Sequence, residues 1–149
     1  MIQIRSPETP EEWRAYYELR WKILRAPWNQ PRGSERDMLE QQAHHLIAFD
    51  EGKVLGVGRI HFNSSSEAQV RYMAVDPKMQ GRGVGKAILA DLEAYAQKNG
   101  VSSIVLNARE NALQFYERTG YHIIAPVKPL FGILHWKMRK DFCMGLLAL

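Results

Sequence analysis

Apolar residues change their spacing several times along this chain, and each change predicts an element. Trp13, Tyr16, Tyr17, Leu19, Ile23 and Leu24 recur at helical intervals. Thr9 stands before Pro10 and three residues ahead of Glu12, a capping box with proline at the first helical position, so a helix is predicted over Pro10–Leu24. Ile2 to Arg5 alternates briefly, as a short first strand would. Pro27, Asn29, Pro31 and Gly33 break the helix, and Glu35 to Gln42, rich in charge, reads as a second short one. Period-two stretches follow at His45–Asp50, Lys53–His61 and Glu67–Val75, joined by the turns Glu51-Gly52 and Asn63 to Ser66. Val84, Ile88, Leu92 and Tyr95 form one helical face, which Gly100 ends. Ser103–Asn107 reads as a compact strand and Glu110–Thr119 as a helix ended by Gly120. Tyr121–Ala125 and Ile133–Met138 read as strands, with Pro126 and Pro129 in the loop between them. An antiparallel meander followed by a crossover helix implies a mixed α/β (α+β) sheet with helices on both faces.

The junction between the third meander strand and the next helix carries the most specific pattern. Pro77 cannot donate to a ladder and turns Asp76 away from helix, so the strand stops there. Gly81, Gly83 and Gly85 then alternate directly ahead of the helical spacing. Such glycines let backbone approach a ligand, and the helix behind them aims free N–H groups and its positive dipole end at the turn. Phosphate suits that construction. Lys86 is followed by Ala87, so the loop lacks the hydroxyl of a P-loop, and its glycine spacing misses the dinucleotide fingerprint.

Gln80-x-x-Gly83-x-Gly85, preceded by Met73-Ala74-Val75-Asp76-Pro77, resembles the pyrophosphate loop of the GNAT acyltransferase superfamily. A second stretch, Asn111-Ala112 to Phe115-Tyr116 with Gly120-Tyr121, is similar to that family's Asn-x-x-Ala-x-x-Phe-Tyr signature, with Ala112 directly after Asn111 as one departure. The element order also agrees, so the resemblance covers nearly the whole chain. It implies one domain over residues 1–149, with 142–149 an unassigned apolar tail. The implied fold is a GNAT fold, a mostly antiparallel sheet of six or seven strands flanked by helices on both faces. It also implies acetyl-CoA, or another acyl-CoA, as co-substrate. Gln80, Gly81, Arg82, Gly83, Val84, Gly85 and Lys86 would hold its pyrophosphate. Met73, Ala74 and Val75 would make main-chain contacts beside a strand bulge around Tyr72 to Ala74. The amide of Met73 would stabilise the oxyanion. Asn107 and Asn111 would line the arm's cleft, and Tyr116 would protonate the leaving thiolate as general acid.

A base is less well marked. Glu67, Arg71, His44, His45, His61 and His122 are chemically conceivable, and Glu67 is preferred because glutamates on this strand serve as bases in some members of the family. The acceptor, a small-molecule amine or a protein or peptide amine, would meet a pocket built from the first two helices and the loop before the last strand. Trp13, Trp21, Trp28, Arg20, Arg25 and His135-Trp136 lie in these regions.

Composition narrows the classes. The chain has 149 residues, 46% of them hydrophobic and 24% charged, which fits one soluble globular domain. A net charge of +4, without a basic stripe, gives no argument for nucleic acid. No apolar run reaches transmembrane length and no secretory h-region is present, so a cytoplasmic protein is expected. The one cysteine, Cys143, excludes an internal disulfide and lies outside the motifs, so a covalent acyl-enzyme route is unsupported. The adjacent His44 and His45 point apart in either regular geometry, so no metal site is expected. The leading expectation is an acyl-CoA-dependent N-acyltransferase working by direct attack in a ternary complex. The alternative is a non-catalytic acyl-CoA sensor of the same fold; the sequence leaves a homodimer open.

Overall fold

The computed structural model describes residues 1–142. Its strands are β1 (Gln3–Arg5), β2 (His44–Asp50), β3 (Lys53–Phe62), β4 (Glu67–Val75), β5 (Ser103–Arg109), β6 (His122–Leu130) and β7 (Ile133–Asp141). The helices are α1 (Pro10–Leu24), α2 (Val84–Lys98) and α3 (Leu113–Arg118). The strands form one seven-stranded sheet in the order β1-β2-β3-β4-β5-β7-β6. Only the β4–β5 pairing is parallel among those whose register is defined. That is the mixed, mostly antiparallel sheet expected. By contact density the chain divides into two compact units, Met1–His61 with Arg71–Leu92, and Phe62–Val70 with the chain from Glu93 onward.

In the first unit, α1 begins as its sequence dictates. Thr9 Oγ1 accepts from the Glu12 amide at 3.1 Å, and Glu12 reaches back to the amide of Glu8 at 2.8 Å. Burial of Tyr16 and Leu19 against Ile47, Val57 and Ala74 seats the helix on one face of the sheet. Gly56 and Gly58 flank Val57 and face the opposite way, where α2 packs. A Cβ on Gly58 would stand 2.7 Å from Met73 Sδ and 2.8 Å from Ile88 Cγ2; one on Gly56 would stand 2.9 Å from Val84 Cγ1. These two glycines are present because α2 crosses the sheet without room for a methyl group. In the second unit, Glu93 on α2 joins Tyr121 (2.8 Å) and Lys140 (3.1 Å), and Lys140 also caps the Thr119 carbonyl at 2.7 Å.

Three expectations change. Glu35–Gln42 forms turns, not a helix. Its acidic side chains capture backbone donors that a helix would need: Asp37 Oδ1 takes the Leu39 amide, and Glu40 Oε2 takes the Asp37 amide. Pro126 and Pro129 lie inside β6, which runs on to Leu130 with register shifts near both prolines. An edge strand tolerates them because no further strand among the described residues pairs with its outer side. The helix expected over Glu110–Thr119 is a 3-10 turn at Glu110–Ala112 followed by the six residues of α3. The tail residues from Cys143 to Leu149 lie outside the described residues.

Filling the glycine gap under α2 tests this packing. Gly58→Val should lower stability by about 2 kcal/mol, since Ile88 Cγ2 cannot swing away as the end of Met73 can. Urea unfolding should show a lower midpoint with an unchanged slope.

Candidate active site

A distortion in β4 positions the first candidate group. Ala68, Val70, Tyr72 and Ala74 are buried in alternation, yet Tyr72 adopts φ 58° in the middle of the strand. A bulky residue in left-handed conformation costs on the order of 1–3 kcal/mol and persists only where its surroundings over-determine it. Here the Tyr72 ring is gripped from several sides: Cζ of Arg20 lies 4.2 Å from its centroid, Arg71 4.5 Å, Arg59 4.9 Å and Arg25 5.6 Å. The register of β4 with β5 covers Glu67 to Gln69 alone, ahead of the distortion. Met73, Ala74 and Val75 follow it.

Beyond the strand the chain is turned by its own side chains. The Asp76 amide closes the ladder on the Leu55 carbonyl at 2.8 Å, and Asp76 Oδ1 takes the Lys78 amide at 2.9 Å. After a 3-10 turn at Pro77–Met79, Gly81 and Gly83 adopt φ 79° and 81°. A Cβ at either would meet nothing within 4 Å, so conformation, not crowding, requires glycine, and the space beside them is open. Val84 is buried and anchors α2, whose first bond runs from the Ala87 amide to the Gly83 carbonyl at 3.0 Å. The preceding amides have no partner inside the helix. With Gln80, Arg82 and Lys86 exposed around it and Gly85 in the first turn, this loop fits a phosphate-sized anion.

Beneath Tyr72 lies a buried ionic network that the sequence reading did not find. Arg20 and Arg59 are fully buried. Glu40 bridges them, at 2.9 Å to Arg20 and 2.6 Å to Arg59, and Asp37 bridges Arg59 at 2.6 Å to Arg71 at 2.7 Å. Burial by itself would raise both carboxyls. The hydrogen bond from Arg59, the Leu39 amide and the charges of Arg59 and Arg71 outweigh it and hold Asp37 well below the carboxylate range. For Glu40 the charge and hydrogen bond of Arg20 do the same. The sequence signal nearest to it is the charge-rich stretch from Glu35, which reads as a short helix.

In the second unit, Asn107 is exposed on β5 although its neighbours Leu106 and Ala108 are buried, and Asn111 is exposed in the 3-10 turn. Tyr116 is buried against Tyr121, ring centroids 5.8 Å apart. Burial pushes its phenol up, so the group is protonated at neutral pH. A protonated phenol carries the O–H that a donor role requires.

The base candidates divide. Both ring nitrogens of His45 are engaged, at 2.7 Å with the Tyr16 hydroxyl and with the Glu40 carbonyl. His61 Nδ1 accepts from Arg59 at 3.1 Å. Glu67 accepts from Asn63 at 2.9 Å and stands six residues before Met73, roughly 20 Å of extended strand. That separation is too long for direct proton transfer beside the Met73 amide. Among the acceptor-pocket residues, Trp13 is packed on the α1 core, Trp21 donates to the Gln30 carbonyl at 3.0 Å, and His135 Nδ1 pairs with the Ile133 carbonyl at 2.9 Å. Among the described residues no group of three or more His, Cys, Asp or Glu side chains is placed to hold a metal ion. No helix of the described residues is long and apolar enough to cross a membrane.

Residues 26–142 match the acetyltransferase (GNAT) domain family. The chain is 31% identical over 128 residues to the uncharacterized N-acetyltransferase YjcF of Bacillus subtilis, covering 85% of this chain and 90% of that one. An acyl-CoA N-acyltransferase from Pseudomonas aeruginosa shares the fold at TM-score 0.80 and 20% identity, with 95% of this chain and 99% of that one superposed. An aminoglycoside 6'-N-acetyltransferase complexed with coenzyme A shares it at TM-score 0.79 and 15% identity, over 95% and 96% of the two chains. This chain belongs to the GNAT acetyltransferase family, and acetyl transfer is that family's chemistry.

The ionic network sets an acid limit on stability. Asp37 and Glu40 titrate lower in the folded chain than when unfolded, so below the unfolded carboxylate value the unfolded state binds more protons. Stability from this network is therefore complete above roughly pH 5 and drains away as the pH falls through the carboxylate range. Glu40→Gln should cost about 3 kcal/mol at neutral pH, because it leaves buried Arg20 without its carboxylate and Arg59 with Asp37 alone. Its urea midpoint should also vary less between pH 5 and 3 than the parent's.

Proposed function

We propose that this protein transfers an acetyl group from acetyl-CoA to an amine by direct attack within a ternary complex. The observation that carries the reading is the glycine turn at Gly81 and Gly83, opening onto the free amides of α2 just after a strand kinked at Tyr72. Gln80, Gly81, Arg82, Gly83, Val84, Gly85 and Lys86 would hold the pyrophosphate, largely through backbone N–H groups. Met73, Ala74 and Val75 would pair with the pantetheine arm as an added strand would, and Asn107 and Asn111 would contact it from β5 and the turn after it. When bound, the co-substrate supplies a thioester carbonyl open to a nucleophile and a sulfur able to depart.

The chain's own residues serve the rest of the chemistry. The Met73 amide donates to the carbonyl oxygen as negative charge develops there. As the new C–N bond forms and the C–S bond breaks, Tyr116 gives its phenolic proton to the departing sulfur. The proton lost by the attacking nitrogen leaves through water, and the phenolate is reprotonated from solvent. Glu67 is not assigned the base because of its distance along β4. The reaction is placed in the cytoplasm, where acetyl-CoA is supplied. A sensor that binds without turnover is the competing reading, since no side chain among the described residues is assigned as the base.

Two variants test these roles. Gly83→Val places a side chain where nothing of the protein lies within 4 Å, in a backbone state that disfavours it. It should fold and lose most of its affinity for CoA; calorimetry giving the parent affinity would remove the phosphate role. Tyr116→Phe keeps the ring and should bind acetyl-CoA normally while kcat and kcat/KM both drop roughly 10²-fold. Parent-like turnover in that variant would make Tyr116 a packing residue. Tight CoA binding by the parent without turnover of any amine would favour the sensor.

A further inference from the structure

The network around Tyr72 carries more positive charge than its own carboxylates offset. Arg20, Arg25, Arg59 and Arg71 all stand within 5.6 Å of the ring centroid. The carboxylates among them are Asp37 and Glu40; Glu35, also buried, pairs with Arg36 at 3.3 Å. Among the described residues Arg20, Arg59 and Arg71 thus share two carboxylates. Both Arg20 and Arg59, although fully buried, keep an Nε–H without a partner among the described residues. A dense group of cations with donors to spare, in partly desolvated surroundings, attracts an anion strongly.

Arg71 connects this excess to solvent. It is the outermost of the four, its side chain 42% exposed, and one Nη is fixed by Asp37 at 2.7 Å. That single anchor aims the planar fork while leaving donors for a second carboxylate or a phosphoryl group, the bidentate partners guanidinium fits best. Arg71 also lies two residues before Met73, roughly 7 Å along the strand. An anion seated on Arg71 would therefore hold an amine attached a few bonds away near the Met73 amide. An acceptor that is purely cationic, such as a polyamine, would be repelled here.

We propose that the acceptor is a compact amine that also carries a carboxylate or phosphoryl group, and that Arg71 selects it by that charge. This rests on the acyl-transfer reading above and names the class of acceptor the same site takes. The exposed Arg71 makes the contact with the anion; the buried Arg20 and Arg59 set the field in which it binds.

Matched acceptors test the charge directly: β-alanine against its amide, and O-phosphoethanolamine against ethanolamine, with thiol release from acetyl-CoA as the readout. A charge-assisted contact of this kind should give the anionic member of a pair a 10- to 100-fold higher kcat/KM, about 1.5–3 kcal/mol, expressed mostly in KM. Which pair shows the larger ratio separates carboxylate from phosphoryl recognition. Arg71→Gln should bring the ratio close to one, Arg71→Lys should restore part of it, and Arg71→Glu should invert it. A ratio is insensitive to a general loss of folded protein, so merely structural damage would not move it. Equal turnover of both members by the parent, or an intact ratio in Arg71→Gln, overturns the proposal while the transferase stands. Calorimetry of the same compounds with the CoA-bound chain covers the case of no turnover. Tighter binding of the anionic members would then support the proposal and sink the transferase reading, and equal binding would overturn the proposal.

Discussion

Two fully buried arginines constrain this molecule more than any apolar contact does. Arg20 comes from α1 and Arg59 from β3, and neither tolerates burial without a carboxylate. Glu40, delivered by the segment between α1 and β2, answers both, and Asp37 carries the link outward to Arg71 on β4. Two carboxylates thus fix the helix, the following loop and two strands relative to one another. That segment is irregular because its side chains are committed to these cations, and its backbone is satisfied locally by the same carboxylates.

The kink at Tyr72 follows from that arrangement. An aromatic ring surrounded by guanidinium groups has enough favourable contact to offset a left-handed backbone angle. The strand that carries it leads directly to the glycine turn ahead of α2. Strain in one residue and conformational freedom in two glycines are therefore neighbours in sequence and parts of one device. Ordinary β structure would continue the ladder; here it is interrupted just where backbone groups are wanted for a ligand.

Much of this was legible in the residues. The bounds of α1 followed from Thr9, Pro10 and Glu12, those of β4 from Val75-Asp76-Pro77, and the start of α2 from alternating glycines, because each signal is local and stereochemical. The fold class followed from the order of the elements. The turn character of Glu35–Gln42 was not legible, since whether an acidic side chain faces water or a buried arginine depends on residues 20 or more positions away. The left-handed angle at Tyr72 was marked by resemblance alone, as nothing in a tyrosine announces it. The strand through Pro126 was misread for a related reason: proline is a breaker inside a sheet and acceptable at its border, and a border position is a property of the whole topology.

That border has a consequence for how copies of this protein meet. β6 is the last strand of the sheet, and an outermost strand ordinarily offers a template on which a neighbouring chain can stack. Pro126 and Pro129 carry no amide hydrogen and the register shifts beside each, so β6 is an irregular border. Such irregularity disfavours edge-to-edge growth into ribbons on that side. Two residues thus guard this border of the folded chain against one of the commonest routes to fibres.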